Sequence, residues 1–406
     1  AASNLASFVS VLDVNSLSSE IIVIVNGLVL DEQDSVRQIA AEQLGNIAKV
    51  MNETNCSAEN CQNLLPILKK SADDRSWRVR HSIAKCFPDL SKALGASIFE
   101  KELVGTLNSL LQDIESEVRS QVLKGIKTYA ELLEPENFIK QIMPSVSALS
   151  QDLSLPVRIS MGDACMDLAP LLKQEHVIKT ILPMLHQFLR DENAEVRLHI
   201  LTKLESLADI MPTIAEKLLP LILELGKDNI WRVRKAVVMS IPMLAERLGV
   251  VYFEQKLMDL YLQCYKDSVN DVRIAASDGL RVLCKVCGSD WILSKMLPNL
   301  KTFYEEANFY LHRITIISAL KTLLMEGSAA APALVNEVIN FIINCTEDPI
   351  PNVRFTSVRA LQEVVPSIAD STIISQVQPC LTKLANEDAD NDVKFFASQA
   401  LLVIKI

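Results

Sequence analysis

Apolar side chains recur every three to four residues over most of the chain, which is the spacing of one face of an α-helix. Val79, Ile83 and Phe87 fall four apart, and Ala40 and Leu44 show the same interval in an earlier stretch. The apolar stretches come in pairs, and no linker rich in Gly or Pro interrupts the series. The pattern predicts an all-α chain of helix pairs without a β-sheet.

A short polar sequence motif lies between the two helices of each pair. Its clearest copies read Asp-Arg-Ser-Trp-Arg-Val-Arg at 74–80 and Asp-Asn-Ile-Trp-Arg-Val-Arg at 228–234. Ten copies end in a basic residue, at intervals of 37 to 43 residues: Arg37, Arg80, Arg119, Arg158, Arg197, Arg234, Arg273, Arg313, Arg354 and Lys394. A landmark with a period near 40 residues indicates a repeat array in which each unit contacts its neighbours.

We therefore predict an α-solenoid, in which antiparallel helix pairs stack into one curved and elastic right-handed superhelix over residues 1–406. Residues 1–12 look like the second helix of a partial repeat, which suggests a fragment or a protein shortened at its N-terminus. About ten complete repeats follow, at 19–55, 61–97, 98–136, 137–175, 176–213, 214–252, 253–291, 292–329, 330–370 and 371–406.

Prolines occupy a common place in the first helix of several repeats. Pro66, Pro144, Pro183 and Pro220 each lie 14 residues before the basic landmark of their repeat. Because a proline removes a backbone hydrogen bond, we expect it to start or kink the helix at that place.

An Asp lies six positions before the basic residue in nine of the ten copies, and Ala307 takes its place in the eighth. Asp suits a turn, and the planar guanidinium of Arg suits a carboxylate of its own or the next repeat. We predict an Asp–Arg ladder that includes Asp74, Arg80, Asp113, Arg119, Asp191, Arg197, Asp228 and Arg234. Since one exposed pair contributes only ~0–1 kcal/mol, the ladder would chiefly fix how neighbouring repeats stack.

The residues just before the landmark are expected to project at the tip between the two helices. Trp77 and Trp231 share this position, and Arg78 and Arg232 follow them. Each Trp either packs over its own turn or forms, with its Arg, an interface hot spot. The repetition of the pair beside a basic residue favours the second interpretation.

Composition restricts the class of partner. The formal net charge of −10 argues against nucleic acid. The longest apolar run, at residues 21–30, is interrupted by Asn26 and is too short to span a bilayer. Nine Cys are scattered without a disulfide framework, which favours reduced thiols in a cytosolic or nuclear protein.

Residue patterns that carry catalysis are not found in the sequence. The five His lack a metal-ligand spacing, and Cys284 and Cys287 form a lone Cys-x-x-Cys in an apolar helix. No Gly-rich phosphate loop appears. The sequence therefore predicts a protein that is not an enzyme and that binds no metal or cofactor.

Helix pairs with an Asp turn, a Val-Arg helix start and a period of 39 residues resemble HEAT repeats. The ordered set of turns resembles one HEAT family in particular, the scaffold (A, 65 kDa regulatory) subunits of protein phosphatase 2A. The Trp turns, the Tyr310-Leu-His-Arg313 turn and the run Leu248-Gly-Val-Val-Tyr-Phe-Glu-Gln-Lys-Leu257 carry this resemblance, which extends over nearly the whole chain.

The resemblance implies a non-catalytic scaffold in the cytoplasm, and also in the nucleus, with protein partners and no nucleic acid or membrane. The phosphatase catalytic subunit would dock on the last five turns, through Trp231, Arg232, Asn270, Tyr310, Arg313, Asn352 and Lys394. Asn270 stands where the family commonly has Tyr. A B-type regulatory subunit would dock on earlier turns, through Trp77, Arg78 and Glu117.

A transport receptor of the importin type is the alternative, since importins are also acidic HEAT solenoids. Such a receptor would recognise basic cargo and a small GTPase. Importins usually have about twice as many repeats and lack the paired Trp-Arg-Val-Arg turns, so the sequence favours the phosphatase scaffold.

Overall fold

The computed structural model describes residues 22–53, 63–325, 331–368 and 371–404. These residues belong to two compact units, which meet in sequence at Ile214 and Ala215. Within the described ranges every regular element is a helix, as the apolar periodicity predicts. The predicted partial repeat at 1–12 lies outside the described residues.

In the first unit the first and second members of the helix pairs follow each other in alternation, and several members are divided into shorter helices. The helices are α1 (Ile22–Leu28), α2 (Asp34–Glu53), α3 (Leu64–Ala72), α4 (Trp77–Leu94), α5 (Ala96–Ile98), α6 (Val104–Leu111), α7 (Ser116–Leu123), α8 (Ile126–Leu132), α9 (Pro135–Gln141), α10 (Met143–Ala148), α11 (Leu155–Leu168), α12 (Gln174–His176), α13 (Leu182–Phe188) and α14 (Ala194–Ile210). Single π-helical turns at Phe99–Leu103 and Val177–Ile181 join α5 to α6 and α12 to α13, and a 3₁₀ turn follows α10 at Leu149–Gln151.

The second unit repeats this alternation. Its helices are α15 (Pro212–Leu225, in which the division between the units falls), α16 (Trp231–Leu248), α17 (Val250–Tyr252), α18 (Met258–Cys264), α19 (Asn270–Cys287), α20 (Ser289–Trp291), α21 (Leu297–Glu306), α22 (Tyr310–Met325), α23 (Pro332–Cys345), α24 (Pro351–Val364), α25 (Ser371–Glu387) and α26 (Asn391–Ile404). Its π-helical turns are Phe253–Leu257 and Ile292–Met296, and a 3₁₀ turn follows α24 at Val365–Ser367.

The second helices of successive repeats pack side by side within each unit. In the first unit α2, α4, α7, α11 and α14 form one such series, and in the second unit α16, α19, α22, α24 and α26 form another. Val79, Ile83 and Phe87 are fully buried in α4, as predicted. The all-α solenoid class is thereby confirmed, whereas the handedness of the superhelix and the continuity of a single array stay predictions.

The second helices begin two residues earlier than the sequence predicts. A helix that starts at the Val-Arg pair, as the sequence predicts, would begin at Val79, but α4 begins at Trp77. The Asp74 carboxylate ends the turn early, because its Oδ1 accepts the backbone N–H of Ser76 at 2.8 Å. The tip residues therefore lie in the first turn of a helix, which fixes their backbone.

Several prolines of the first helices lie where the regular α-helical pattern is interrupted, as expected for a residue that kinks or starts a helix. Pro144, Pro183 and Pro298 are in the first turn of α10, α13 and α21, and the residue before each of these segments is already helical. The missing N–H of each proline removes a backbone hydrogen bond at this place. Pro220 and Pro379 instead lie inside α15 and α25.

Bidentate bonds from an Arg of one repeat to an Asp of the next, here called forks, connect several neighbouring repeats within the units. Arg80 donates from Nε and Nη2 to the two carboxylate oxygens of Asp113, at 2.6 and 2.9 Å. Its Nη1 donates to the backbone carbonyl of Asp74 in its own repeat, at 2.8 Å. One guanidinium thus joins the turns of two neighbouring repeats.

Within the units such forks, with N–O distances of 2.6 to 3.1 Å, include Arg37–Asp74, Arg80–Asp113, Arg119–Asp152, Arg158–Asp191, Arg234–Asp267 and Arg354–Asp388. Two further ladder residues lie close to the boundary between the two units. Arg197 donates to the backbone carbonyls of Asp191 and Glu192, and Asp228 accepts a hydrogen bond from the N–H of Ile230.

The forks are shielded from solvent, which strengthens them. The side chains of Arg354 and Asp388 are only 14% and 4% exposed. The hydrogen bond from Arg354 lowers the pKa of Asp388, against an opposing effect of burial, and the N–H of Asp390 adds to the lowering. The same bond raises the pKa of Arg354. Both groups are therefore more firmly charged in the folded chain than in the unfolded one.

We expect Asp388→Asn to lower the free energy of unfolding by about 1–3 kcal/mol at neutral pH, since a buried guanidinium loses its carboxylate. The folded-state pKa of Asp388 is depressed, so its contribution is complete above the unfolded value and is lost as pH falls through the folded value. The difference between wild type and variant should therefore begin to narrow below about pH 4 and close only below the folded-state pKa. Urea unfolding at pH 7 and pH 3 measures the free energy of unfolding of both proteins. A difference between them that stays constant with pH would contradict the role given to the Asp388 carboxylate.

Candidate partner-binding surface

Trp77 and Trp231 are the first residues of α4 and α16, and both are half-buried. The guanidinium carbon of Arg78 lies 5.1 Å from the Trp77 ring centroid, and that of Arg232 lies 5.5 Å from the Trp231 ring. A cation over an indole face is attracted by the ring quadrupole. The two tips thus have the same internal arrangement of Trp and Arg.

This geometry agrees in part with each of the two sequence interpretations, a Trp that packs over its own turn and a Trp–Arg hot spot. Each indole is partly covered by its own Arg, yet neither Trp is buried in the core, and Arg78 and Arg232 are exposed. An exposed Trp–Arg pair held on a rigid helix start has the composition of a hot spot. Its role in binding stays a prediction.

The resemblance between the two tips extends along their helices. Both α4 and α16 contain an internal proline, Pro88 and Pro242. Both end at a glycine with positive φ, 83° at Gly95 and 91° at Gly249, a conformation that other residues rarely adopt. The positive-φ glycine is not particular to these two helices, since α19 also ends at one, Gly288, with φ 85°. The Trp start and the internal proline are the features that α4 and α16 share.

The internal prolines lie close to glycines of the neighbouring repeat: Pro88 to Gly125, in the turn between α7 and α8, and Pro242 to Gly279, in α19. A methyl group added at Gly125 would lie 2.5 Å from Cγ of Pro88, and one added at Gly279 would lie 2.9 Å from Cγ of Pro242. These glycines allow the Trp-bearing helices to approach their neighbours closely. Sequence reasoning did not identify this pairing, since Gly and its proline are distant in the chain.

The early part of the surface carries both signs of charge. Arg78 Nη1 lies 4.0 Å from Asp34 Oδ2 of the preceding repeat. Glu117, at the tip of the following repeat, is exposed. Hydrogen bonds from its own backbone N–H and from the Ser116 hydroxyl lower the pKa of Glu117, so it presents a carboxylate at neutral pH.

The later part of the surface follows the starts of α16, α22, α24 and α26. Lys235 lies 5.9 Å from the Trp231 ring centroid and 3.2 Å from the Asp271 carboxylate of the next repeat. Tyr310, the first residue of α22, is half-buried against Phe309, and Asn352 is exposed in the first turn of α24. Lys394 is half-buried in the first turn of α26.

Arg313 is engaged inside the ladder. Its side chain is 18% exposed, and Nη1 lies 3.3 Å from the buried Asp348 carboxylate. Tyr304 donates its hydroxyl to the same carboxylate at 2.7 Å. The predicted contact of Arg313 with a partner would therefore involve a side chain that already holds two repeats together.

Asn270 is also engaged with its own chain. Its Oδ1 accepts a hydrogen bond from Nη2 of Arg273 at 3.1 Å, and Nε of Arg273 donates to Thr315 Oγ1 at 3.1 Å. In the other forks the Nε and Nη2 atoms bond to an Asp, whose position is occupied here by Ala307. The Asn270 amide thus supplies an acceptor where the ladder lacks a carboxylate.

Groups suited to metal or redox chemistry are not assembled in the part of the chain that the structure describes. No cluster of three or more His, Cys, Asp or Glu that could hold a metal ion occurs there. Cys284 and Cys287 are free and half-buried, and burial raises the pKa of Cys287 to about 11. Among the described helices, none is both long and apolar enough to cross a membrane.

We expect Asn270→Ala to lower the free energy of unfolding by about 1–2 kcal/mol, since the buried Arg273 guanidinium loses an acceptor. Asn352→Ala is the matched control, because this exposed tip residue should change stability by less than about 0.5 kcal/mol. Urea unfolding of both variants tests the difference, and equal effects would show that Asn270 has no special structural role.

Comparison with known proteins identifies the repeat type. Residues 96–173 match the family model described as PPP2R1A-like HEAT repeat, and residues 64–94 and 218–248 match the general HEAT repeat model. The regulatory A subunit of protein phosphatase PP2A from Saccharomyces cerevisiae is 34% identical over 126 residues, which cover 29% of this chain and 19% of that protein. The Drosophila melanogaster PP2A 65 kDa regulatory subunit is 50% identical over 54 residues, or 13% of this chain and 9% of that protein.

Solved structures support the fold. A crystal structure of Kap121p aligns with 99% of this chain and 44% of its own length, at a TM-score of 0.73 and 15% identity. An identity this low shows the fold alone. The aligned regions span less than a fifth of the two curated phosphatase subunits and under half of Kap121p. The helix pairs, the Asp–Arg forks and these matches together show that the chain is a HEAT-repeat protein.

Proposed function

We propose that the chain is a non-catalytic scaffold of a serine/threonine protein phosphatase 2A complex. It holds the catalytic subunit on the tips that begin at Trp231 and holds a B-type regulatory subunit on the tips around Trp77. The proposal places the protein in the cytoplasm and also in the nucleus.

The Trp–Arg pair that heads both α4 and α16 carries this proposal. The indole and guanidinium offer a large apolar surface and a charge-assisted donor at the same place. Because each pair is held on the first turn of a helix, little side-chain and backbone freedom remains to be lost on binding. A repeated, rigid, half-exposed pair is well suited to contact a globular protein.

Sequence similarity supports phosphatase subunits as the partners. The PPP2R1A-like match over residues 96–173 includes the Glu117 tip. The yeast and fly relatives are both named as PP2A regulatory subunits. The scaffold role contributes no catalytic group, and phosphate hydrolysis would belong to the bound phosphatase.

An importin-type transport receptor is the second candidate, since the karyopherin Kap121p has the same fold. The two functions differ in the partner that the chain should retain. Affinity capture with the purified chain, followed by mass spectrometry, should recover a metallophosphatase under the first proposal. Recovery of a small GTPase with basic cargo would support the second.

We expect Trp231→Ala to cause an at least about tenfold loss of affinity for the phosphatase 2A catalytic subunit, since an interfacial Trp hot spot contributes about 2 kcal/mol or more. Arg232→Glu should weaken binding further, because it reverses the charge beside the ring, and Lys394→Ala should weaken it less. Calorimetric titration of the catalytic subunit into each variant measures these affinities.

Trp291→Phe serves as the control, because this third Trp lies in α20, where it contacts Glu254 and Phe253 away from the tips. Its affinity for the catalytic subunit should match that of wild type. A Trp231→Ala variant that is folded and binds like wild type would show that Trp231 only packs its own turn.

We expect Trp77→Ala to cause an at least about tenfold loss of affinity for a B-type regulatory subunit, while binding of the catalytic subunit stays nearly unchanged. The reason is the separation of the two tips along the chain, with Trp77 in the first unit and Trp231 in the second. Parallel pull-downs with the two subunits test this division. Equal loss of both partners, at unchanged melting temperature, would refute it.

A further inference from the structure

One position of the ladder lacks its carboxylate. Arg273 keeps the bond from Nη1 to the carbonyl of Asp267 in its own repeat, at 2.7 Å. The next repeat offers Ala307 instead of an Asp, and two neutral oxygens, from Asn270 and Thr315, accept from the guanidinium. The guanidinium charge at this place is therefore not neutralised by the following repeat.

The positively charged guanidinium of Arg273 is buried. Arg273 is 3% exposed, and its burial lowers its pKa more than the charge of Asp267, in its own repeat, raises it. The hydrogen bond to Asp388 instead raises the pKa of Arg354. Arginine nevertheless remains protonated at any physiological pH. Since a buried charge is unfavourable without a counter-charge, an added carboxylate would be stabilising here.

A surface cavity of about 280 Å³ opens beside the missing carboxylate. Its lining includes Ala307, Lys266, His312, Phe303 and Phe309. Burial lowers the pKa of the His312 imidazole, and the nearby charges of Arg273 and Lys266 lower it further, so three basic groups lie close together.

The walls of the cavity combine charge with aromatic surface. The Lys266 ammonium lies 3.9 Å from the Phe303 ring centroid. Phe309 is 49% exposed, which leaves apolar surface at the opening. Glu306 is the one acidic side chain in the lining, and its carboxylate lies 3.9 Å from Lys266 in an exposed pair, which solvent screens.

We propose that this cavity receives an acidic side chain, Asp or Glu, from a partner protein. The carboxylate takes the place that the other repeats give to their own Asp, near Lys266, His312 and Arg273. An apolar residue adjacent to it in the partner packs against Phe303 and Phe309. The partner thus completes a ladder position that the chain leaves incomplete.

The first test asks whether position 307 has room for a carboxylate. Ala307→Asp should raise the melting temperature above that of Ala307→Asn by about 1–4 °C. The Asn variant has the same shape without the charge, so it isolates the electrostatic effect. A melting temperature for Ala307→Asp at or below that of Ala307→Asn would overturn the proposal.

The second test uses two fluorescein-labelled peptides that differ at one position, Ala-Leu-Asp-Leu-Ala and Ala-Leu-Asn-Leu-Ala. The Asp peptide should bind the wild-type chain at least about tenfold more tightly, since hydrogen bonds to charged groups contribute about 1.5–3 kcal/mol. Fluorescence anisotropy measures both affinities. Both peptides are capped at their termini, so that the central carboxylate is the charge that differs between them.

Two variants at position 307 then test whether the Asp peptide binds in this cavity. Ala307→Asp should abolish the preference for the Asp peptide, because the chain supplies its own carboxylate, and Ala307→Asn should retain it. Equal binding of both peptides, absence of binding, or a preference that survives Ala307→Asp would each overturn the proposal. Neither peptide contains a phosphatase sequence, so failure here is distinct from failure of the scaffold function.

Discussion

The bidentate bond between the Arg of one repeat and the Asp of the next is the constraint on which the stacking of helix pairs depends. The same guanidinium also bonds the carbonyl at the start of its own turn, as Arg80 does with Asp74. Each turn is therefore fixed from both sides by partly buried, charge-assisted bonds. Because the tip residues lie a few positions before these Arg residues, the bonds that stack the repeats also set where the tips lie.

Much of this could be predicted from the sequence, since the features concerned repeat with the period of the chain. The helix pairs, the buried face of α4 and the Asp-to-Arg phrase are local patterns that recur, and recurrence distinguishes them from chance. The start of α4 was placed at Val79 instead of Trp77, because the bond from Ser76 N–H to Asp74 is not visible in an apolar pattern. The roles of Arg313 and Asn270 were equally hidden, since they depend on Asp348 and on the Ala at 307 in other repeats.

The candidate surface illustrates a general difficulty of assigning binding residues by position in a repeat. Asn270 and Asn352 are both exposed in the first turn of a second helix, yet only Asn270 accepts a hydrogen bond from the guanidinium of a buried Arg. A single substitution at position 307 changes the surroundings of a side chain 37 residues earlier in the chain. Equivalent positions in a solenoid are therefore equivalent in backbone but not in the hydrogen bonds their side chains make.

The close contacts of Pro88 with Gly125 and of Pro242 with Gly279 have a consequence for the evolution of such a surface. A methyl group at either glycine would lie within 3.0 Å of its proline and of the hydroxyl of Tyr129 or Tyr261, so that tyrosine or the Trp-bearing helix would have to move. Where the helix moves, the tip at its start moves with it. A protein partner that contacts several tips at once would then fit the surface less well and bind more weakly, although no residue that it contacts has changed. Selection on binding would then act on these two glycines as strongly as on the exposed tips, so surface conservation alone would understate which residues the interface requires.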